Sequence, residues 1–237
     1  LIDVLHHAGL AVLWLDNQAG CKGVCDRVPN VNLKDSRKPG LCGPDECFDE
    51  VLLEGLPARL DQLKRDTVLV LHMMGSHGPA YYKRYPDRFE VFIPTCKTSQ
   101  LDQCSREQIV NTFDNTLRYT DAVLAKLIGI LREHADRADT AMIYLSDHGE
   151  SLGERGLYLH AAPYLIAPDA QKHVPMLMWF SDGYRNSFGL DTACLAGNRA
   201  KPYSHDNLFH SLLGLLNVQT REYDKTQDLF GACRKGA

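Results

Sequence analysis

Apolar positions along the chain switch between two periods, and the switching predicts the elements. "LIDVLHHAG" has helical spacing closed by a glycine, and "LAVLWLDN" follows as a strand running into a turn. Residues 17–47 carry no periodicity and read as irregular. "FDEVLLEGLPARLDQLKRD" puts Leu52, Leu56, Leu60 and Leu63 on one face of a helix interrupted at Pro57. "TVLVLHMMG" is a short continuous apolar run, the pattern of a strand buried on both faces. The longest helix is predicted over "SREQIVNTFDNTLRYTDAVLAKLIGILREHA". Ser105 would be its N-cap, with Ile109, Phe113, Leu117, Leu124, Ile128 and Leu131 as its apolar stripe. "TAMIYLS" and "VPMLMWFS" read as further strands, and Ser204 as the cap of a last helix, "HDNLFHSLLGLLN". Strands alternating with helices predict an α/β fold in one domain, a mostly parallel sheet flanked by helices.

Composition narrows the class. The 237 residues are 44% hydrophobic and 24% charged, ordinary for a globular chain with a real core. A net charge of −4 without a long basic run excludes a nucleic-acid partner held by phosphate neutralisation. The longest apolar runs, "VLVL" and "MLMWF", fall far short of the roughly 18–20 residues that span a bilayer.

Cysteine usage adds a compartment. Of eight cysteines, six form close pairs in polar loops: Cys21 with Cys25, Cys42 with Cys47, and Cys96 with Cys104. Zinc sites favour C-x2-C with a matching second pair. Intervals of three, four and seven residues suit local disulfides that fix loop shape, ahead of free thiols or a structural metal. Cys194 and Cys233 are left to pair with each other. Such usage predicts an oxidising compartment.

Candidate chemistry gathers where strands end, the usual place for ligands in α/β sheets. Asp16 and Asn17 end the first strand, "HMMGSHGP" the second and "SDHGE" the third. Neighbours in an extended strand point to opposite faces, so Asp147 and His148 can share an ion only if the backbone turns, which Gly149 permits. A carboxylate with an imidazole suits zinc or manganese, and Glu150 would be a third ligand or would orient the histidine. His160 follows His148 by twelve residues, and His77 sits between a strand and a proline in "GSHGPAYY". His72 reads as a satisfied core histidine, His205 as structural, and His6, His7, His134 and His173 as ordinary surface or helix positions. Lys22, between two cysteines, is a cation on a stiff loop or simply a solvated lysine. Zinc with neutral histidines and a lysine favours phosphoryl or sulfuryl chemistry. No local nucleophile motif of the G-x-S-x-G kind accompanies them.

"HMMGSHGPAYYKRYP", "YLSDHGESLGERGLYLHAAPYLIAPDAQKHVPMLMWF" and "SHDNLFHSLLGLL", with the pairs "LCGPDEC" and "CKTSQLDQC", resemble the phosphoethanolamine transferases that modify lipid A. That family includes the mobilised colistin-resistance enzymes, within the sulfatase-like branch of the alkaline phosphatase superfamily. The resemblance implies an alkaline phosphatase/sulfatase-like fold and a zinc-dependent catalytic domain in the periplasm, anchored in the bacterial inner membrane by an N-terminal region. It implies Asp147 and His148 as zinc ligands, and His77 and His160 as phosphoethanolamine-binding and proton-transferring groups. Lys22 would contact the phosphate and Glu150 would support the site. Phosphatidylethanolamine would be the donor and a lipid A phosphate the acceptor, through a covalent threonine, with polymyxin resistance as the consequence. The family's glutamate ligand and threonine have no match here, so the chain is expected to be the C-terminal two-thirds or so of a catalytic domain, N-terminally truncated and inactive alone. Two other readings stay open: a sulfatase-like enzyme with another glycan or glycerophosphate acceptor, and a disulfide-stapled binding module without chemistry.

Overall fold

The fold is described from a computed structural model, over residues 1–235. The chain opens with α1 (Ile2–His7) and enters β1 (Ala11–Asp16), the middle strand of a parallel three-stranded sheet. Its neighbours are β2 (Asn30–Asn32) and β3 (Thr67–His72). β2 falls inside the stretch expected to be irregular. Its three residues are all exposed, so no apolar alternation announced a strand that pairs by backbone alone.

Register levels the carboxyl ends of β1 and β3, with Asp16 opposite His72. Asp16 Oδ2 accepts hydrogen bonds from His72 Nδ1 (2.8 Å) and Trp14 Nε1 (3.0 Å). Burial pushes the Asp16 carboxyl up, but bonds from His72, Trp14 and the Gln18 amide outweigh it and hold the group below its usual value. His72 is therefore satisfied, as expected.

Helices cover both faces of this sheet. On one side Val68 and Val70 of β3 pack with Ile2, Leu5, Val12, Trp14 and Leu213. On the other, Leu69 and Leu71 meet Leu53, Leu56, Tyr119 and Val123. β3 is half-buried along its length rather than buried, because β1 alone pairs with it among the described residues.

The helix expected across Pro57 is two pieces. A 3-10 turn at Asp49–Leu53 ends near Gly55, whose φ of +68° suits glycine, and α2 (Leu56–Asp61) restarts with Pro57 in its first turn, where no amide donor is needed. Leu52 and Leu56 are buried, while Leu63, beyond α2, is exposed.

α3 (Arg106–Glu133) begins with a capping box: Gln108 N donates to Ser105 Oγ (3.2 Å) and Ser105 N to Gln108 Oε1 (2.8 Å). Ile109, Leu124 and Leu131 of the expected stripe are buried, but Leu117 is 47% exposed. Thr112, Asn115 and Thr116 occupy the buried face instead, because that face meets a loop backbone. Asn115 Oδ1 accepts the amides of Val91 and Phe92, both at 2.9 Å, and Thr112 Oγ1 accepts that of Cys96 at 2.7 Å. His134, expected to be an ordinary helix position, is buried at the end of α3 and donates from Nδ1 to Ile130 O (2.7 Å).

β4 (Ala141–Leu145) continues to a small antiparallel hairpin, β5 (Ser151–Leu152) and β6 (Tyr158–Leu159). After α4 (Asp169–Lys172), β7 (Met176–Phe180) lies antiparallel to β4. Three helices follow: α5 (Asp182–Ser187), α6 (Thr192–Asn198) and α7 (Asp206–Leu215). The N-cap of α7 is His205 rather than Ser204, whose Oγ accepts the Asp206 amide from just outside the helix (3.3 Å). All four expected disulfides are present: Cys21–Cys25, Cys42–Cys47, Cys96–Cys104 and Cys194–Cys233. Among the described residues, no helix is long and apolar enough to cross a membrane.

These contacts separate two leucine-like positions on one helix. Ile109→Ala should cost about 2–5 kcal/mol in urea unfolding, whereas Leu117→Ala should stay within about 0.5 kcal/mol. Ser105→Ala should lose about 1 kcal/mol through its cap.

Candidate active site

The twelve-residue interval between His148 and His160 is a hairpin. β5 and β6 pair with Ser151 opposite Leu159, so the chain folds back and His160 returns beside Glu150. His160 Nδ1 lies 2.7 Å from Glu150 Oε1, and its ring stacks on His148 with centroids 3.9 Å apart. The His77 ring meets His160 edge-on, at 5.6 Å between centroids. Four of the six expected site residues, His77, His148, Glu150 and His160, are thereby brought together.

Glu150 is 8% exposed, and both oxygens are engaged. Tyr81 Oη donates to Oε2 at 2.9 Å while His160 holds Oε1. Burial, then the charge and hydrogen bond of Glu150, push the Tyr81 phenol far above its ordinary pKa, so it stays a donor. Tyr81 is buried in a cluster with Cys96, Leu101 and Ile109, which fixes the hydroxyl in place.

The three imidazoles share a polarity. His77 Nδ1 is 2.7 Å from Gly78 O, His148 Nδ1 is 3.0 Å from Gly149 O, and His160 Nδ1 faces the Glu150 carboxylate. Each acceptor is an oxygen without a proton to give, so each Nδ1 carries the hydrogen. Every Nε2 is left to meet a ligand, phosphate or ion.

Asp147 and His148, expected to share an ion, lie with their polar ends side by side. Asp147 Oδ2 and His148 Nε2 are 3.6 Å apart, near the roughly 3.3 Å that two ligands with ~2.0–2.1 Å bonds span on a tetrahedral ion. The Asp147 side chain is 86% exposed, so the pair is open on one side. His148, Glu150 and His160 also lie close enough to hold an ion. In that group Glu150 is already committed to Tyr81 and to orienting His160, which favours the supporting role over ligation.

Gly149 makes the turn between Asp147 and Glu150 possible by its lack of a side chain. Its amide donates to Gln171 O (3.1 Å), and an added Cβ would lie 1.9 Å from Ala170 O. Gln171 Nε2 also donates to Ser151 Oγ at 2.8 Å, tying α4 to the hairpin. Lys22 is exposed on the Cys21–Cys25 loop with a φ of +48°. It lines a cleft with Asp16, Asp26, Asn30 and Asn32 at the carboxyl end of β1. Among the described residues it makes no hydrogen bond or ion pair.

The sulfatase family profile matches residues 1–218. The chain belongs to the sulfatase family. Proteins similar to it include phosphoethanolamine transferases. Phosphoethanolamine transferase EptA of Salmonella typhimurium is 52% identical over 236 residues, 99% of this chain and 43% of that protein. The soluble domain of lipooligosaccharide phosphoethanolamine transferase A from Neisseria meningitidis superposes with a TM-score of 0.94 at 45% identity, covering 98% of this chain and 70% of that one. The C-terminal periplasmic domain of phosphoethanolamine transferase EptC from Campylobacter jejuni gives 0.84 at 41% identity, over 99% and 71%. The sulfatase-family chain thus spans less than half the length of the curated EptA it matches.

Sequence reasoning missed Tyr81, Asp49 and Gln171. Tyr81 sits in "AYYKRYP", where nothing distinguishes it from the tyrosine that follows. Asp49 is buried and accepts Asn17 Nδ2, the Met74 amide and the Gly75 amide, each at 2.8 Å. Burial pushes its carboxyl up while these donors pull the other way.

Gly149→Ala is expected to displace α4 from the hairpin and cost about 1–3 kcal/mol. Thermal unfolding, together with loss of the His148–His160 ring-stacking shift in proton spectra, would check it.

Proposed function

We propose that this chain is the main part of a zinc-dependent catalytic domain that transfers phosphoethanolamine from phosphatidylethanolamine to a lipid A phosphate. The observation that carries the reading is the convergence of His77, His148 and His160, each with Nδ1 tied to an oxygen and Nε2 free. Family membership and the transferase names of the relatives support the reaction class. The periplasm, named for the Campylobacter domain, accords with four disulfides, and an inner-membrane anchor would belong to the longer protein.

Asp147 and His148 would hold the zinc, and a glutamate and the nucleophilic threonine would come from the remainder of the parent protein. A zinc ion held by these residues would lower the pKa of a nearby hydroxyl and offset phosphoryl charge. His160, its Nδ1–H held by Glu150, presents Nε2 as proton acceptor to the attacking group or donor to the leaving oxygen. The negative Glu150 stabilises the imidazolium formed when His160 takes a proton. His77 faces the same substrate from the opposite loop, and Lys22 supplies a positive charge for the phosphate oxygens. Phosphoethanolamine added to a lipid A phosphate brings an ammonium that offsets phosphate charge, which reduces attraction for cationic peptides such as polymyxins.

Zinc per chain after dialysis tests the metal half by elemental analysis. Binding by two ligands should be weak and substoichiometric, and Asp147→Ala should abolish what remains. In the full-length protein, His160→Ala should lower transfer from a fluorescent phosphatidylethanolamine by about 10²–10⁴-fold with unchanged expression. Retained transfer would overturn the assignment of His160.

A further inference from the structure

His77 is exposed, so packing does not hold it, yet its turn is suspended from another loop by hydrogen bonds. The amides of Met74 and Gly75 donate to Asp49 Oδ1 and Oδ2, both at 2.8 Å. Asn17 Nδ2 links the same carboxylate (2.8 Å) to Cys47 O (3.0 Å). Ser76 Oγ hydrogen-bonds Thr116 Oγ1 of α3 at 2.6 Å. At His77 itself the contact comes from Arg84. Its Nε donates to His77 O at 2.8 Å, and its Nη1 donates to Glu46 Oε2 at 2.6 Å.

Glu46 is braced in turn. It lies inside the loop closed by Cys42–Cys47, and its carbonyl accepts the Gly43 amide at 2.8 Å. The Arg84 side chain is only 9% exposed and that of Glu46 24%, so the pair is shielded well beyond an ordinary surface ion pair. A guanidinium carries donors in a rigid fork and can make both bonds at once, which a lysine ammonium in the same place would not reproduce.

We propose that Arg84, braced by Glu46 in the Cys42–Cys47 loop, is a positioning residue for His77. It clamps the carbonyl of the residue whose imidazole faces His160, while Gly78 O holds the ring from the other side. The 5.6 Å spacing between the two rings is then a property of the disulfide loop as much as of the His77 turn. The value of this clamp to turnover rests on the reading of His77 given above, but the clamp itself does not.

Long-range proton–nitrogen spectra of the histidine rings, in this chain at a pH where they are neutral, test the proposal. The wild type, Arg84→Ala, Arg84→Lys and Glu46→Gln are compared, with thermal unfolding in parallel and His77→Asn for assignment. Wild-type His77 should show the well-separated nitrogen signals of a fixed Nδ1–H tautomer. In both Arg84 variants these signals should draw together toward a tautomeric average, with a smaller movement in Glu46→Gln, while those of His72 stay in place. A lowered melting temperature with unmoved His77 signals would overturn the proposal and leave a purely structural ion pair. Movement of His72 together with His77 in Arg84→Lys and Glu46→Gln would overturn it as well, since loosening would then be general. In the full-length transferase, Arg84→Lys should lower kcat on the order of ten- to a hundredfold with KM little changed. If the rings move and kcat does not, the clamp stands and the catalytic reading of His77 fails.

Discussion

Glu150 is a carboxylate that the fold buries and then satisfies twice. Burying such a charge costs several kcal/mol unless hydrogen bonds replace its water. Here a phenol whose burial holds it protonated and an imidazole Nδ1–H replace it, one on each oxygen. The rest of the site follows from that arrangement. Tyr81 must be rigid, and it is packed with the Cys96–Cys104 bridge and Ile109 of α3. His160 must return to the carboxylate, and the β5–β6 hairpin returns it. His148 then has a flat partner to stack on, and its free Nε2 falls beside Asp147.

The disulfides serve this geometry more than bulk stability. Three of the four close loops of a few residues, where chain entropy alone offers little. Each of the three shapes a loop with a chemical consequence: Cys21–Cys25 carries Lys22, Cys42–Cys47 carries Glu46, and Cys96–Cys104 backs Tyr81. Loops with few buried apolar contacts are the natural place for mobility. Cross-linking fixes the shape of such loops around a parallel sheet that provides only the platform.

The same platform accounts for the polar residues buried along α3. Asn115, Thr112 and Thr116 replace apolar stripe positions because the backbone of residues 90–96 and the His77 turn need partners there. A helix facing a sheet can be apolar throughout, but one facing loops must supply donors and acceptors. Leu117 is exposed on that helix for the complementary reason, lying off both surfaces.

Much of this chain could be read without coordinates. Continuous apolar runs marked β1, β3, β4 and β7, Ser105 marked the cap of α3, and cysteine spacing paired six sulfurs and left Cys194 and Cys233 to each other. "SDHGE" and "SHGP" marked their histidines because strand ends and glycines are local signals, while the role of His160 in "LYLH" came from the family resemblance. Hydrogen-bond partners were not legible. Tyr81 and Glu150 are 69 residues apart, Arg84 and Glu46 38, and Asn17 and Asp49 32. Nor could β2 be seen, since three exposed residues paired by backbone leave no alternation. Periodicity reports which face of an element is apolar, and that is a property of neighbours along the chain. Which polar atom satisfies which is decided only when separate elements pack and exclude the water that would otherwise have done it.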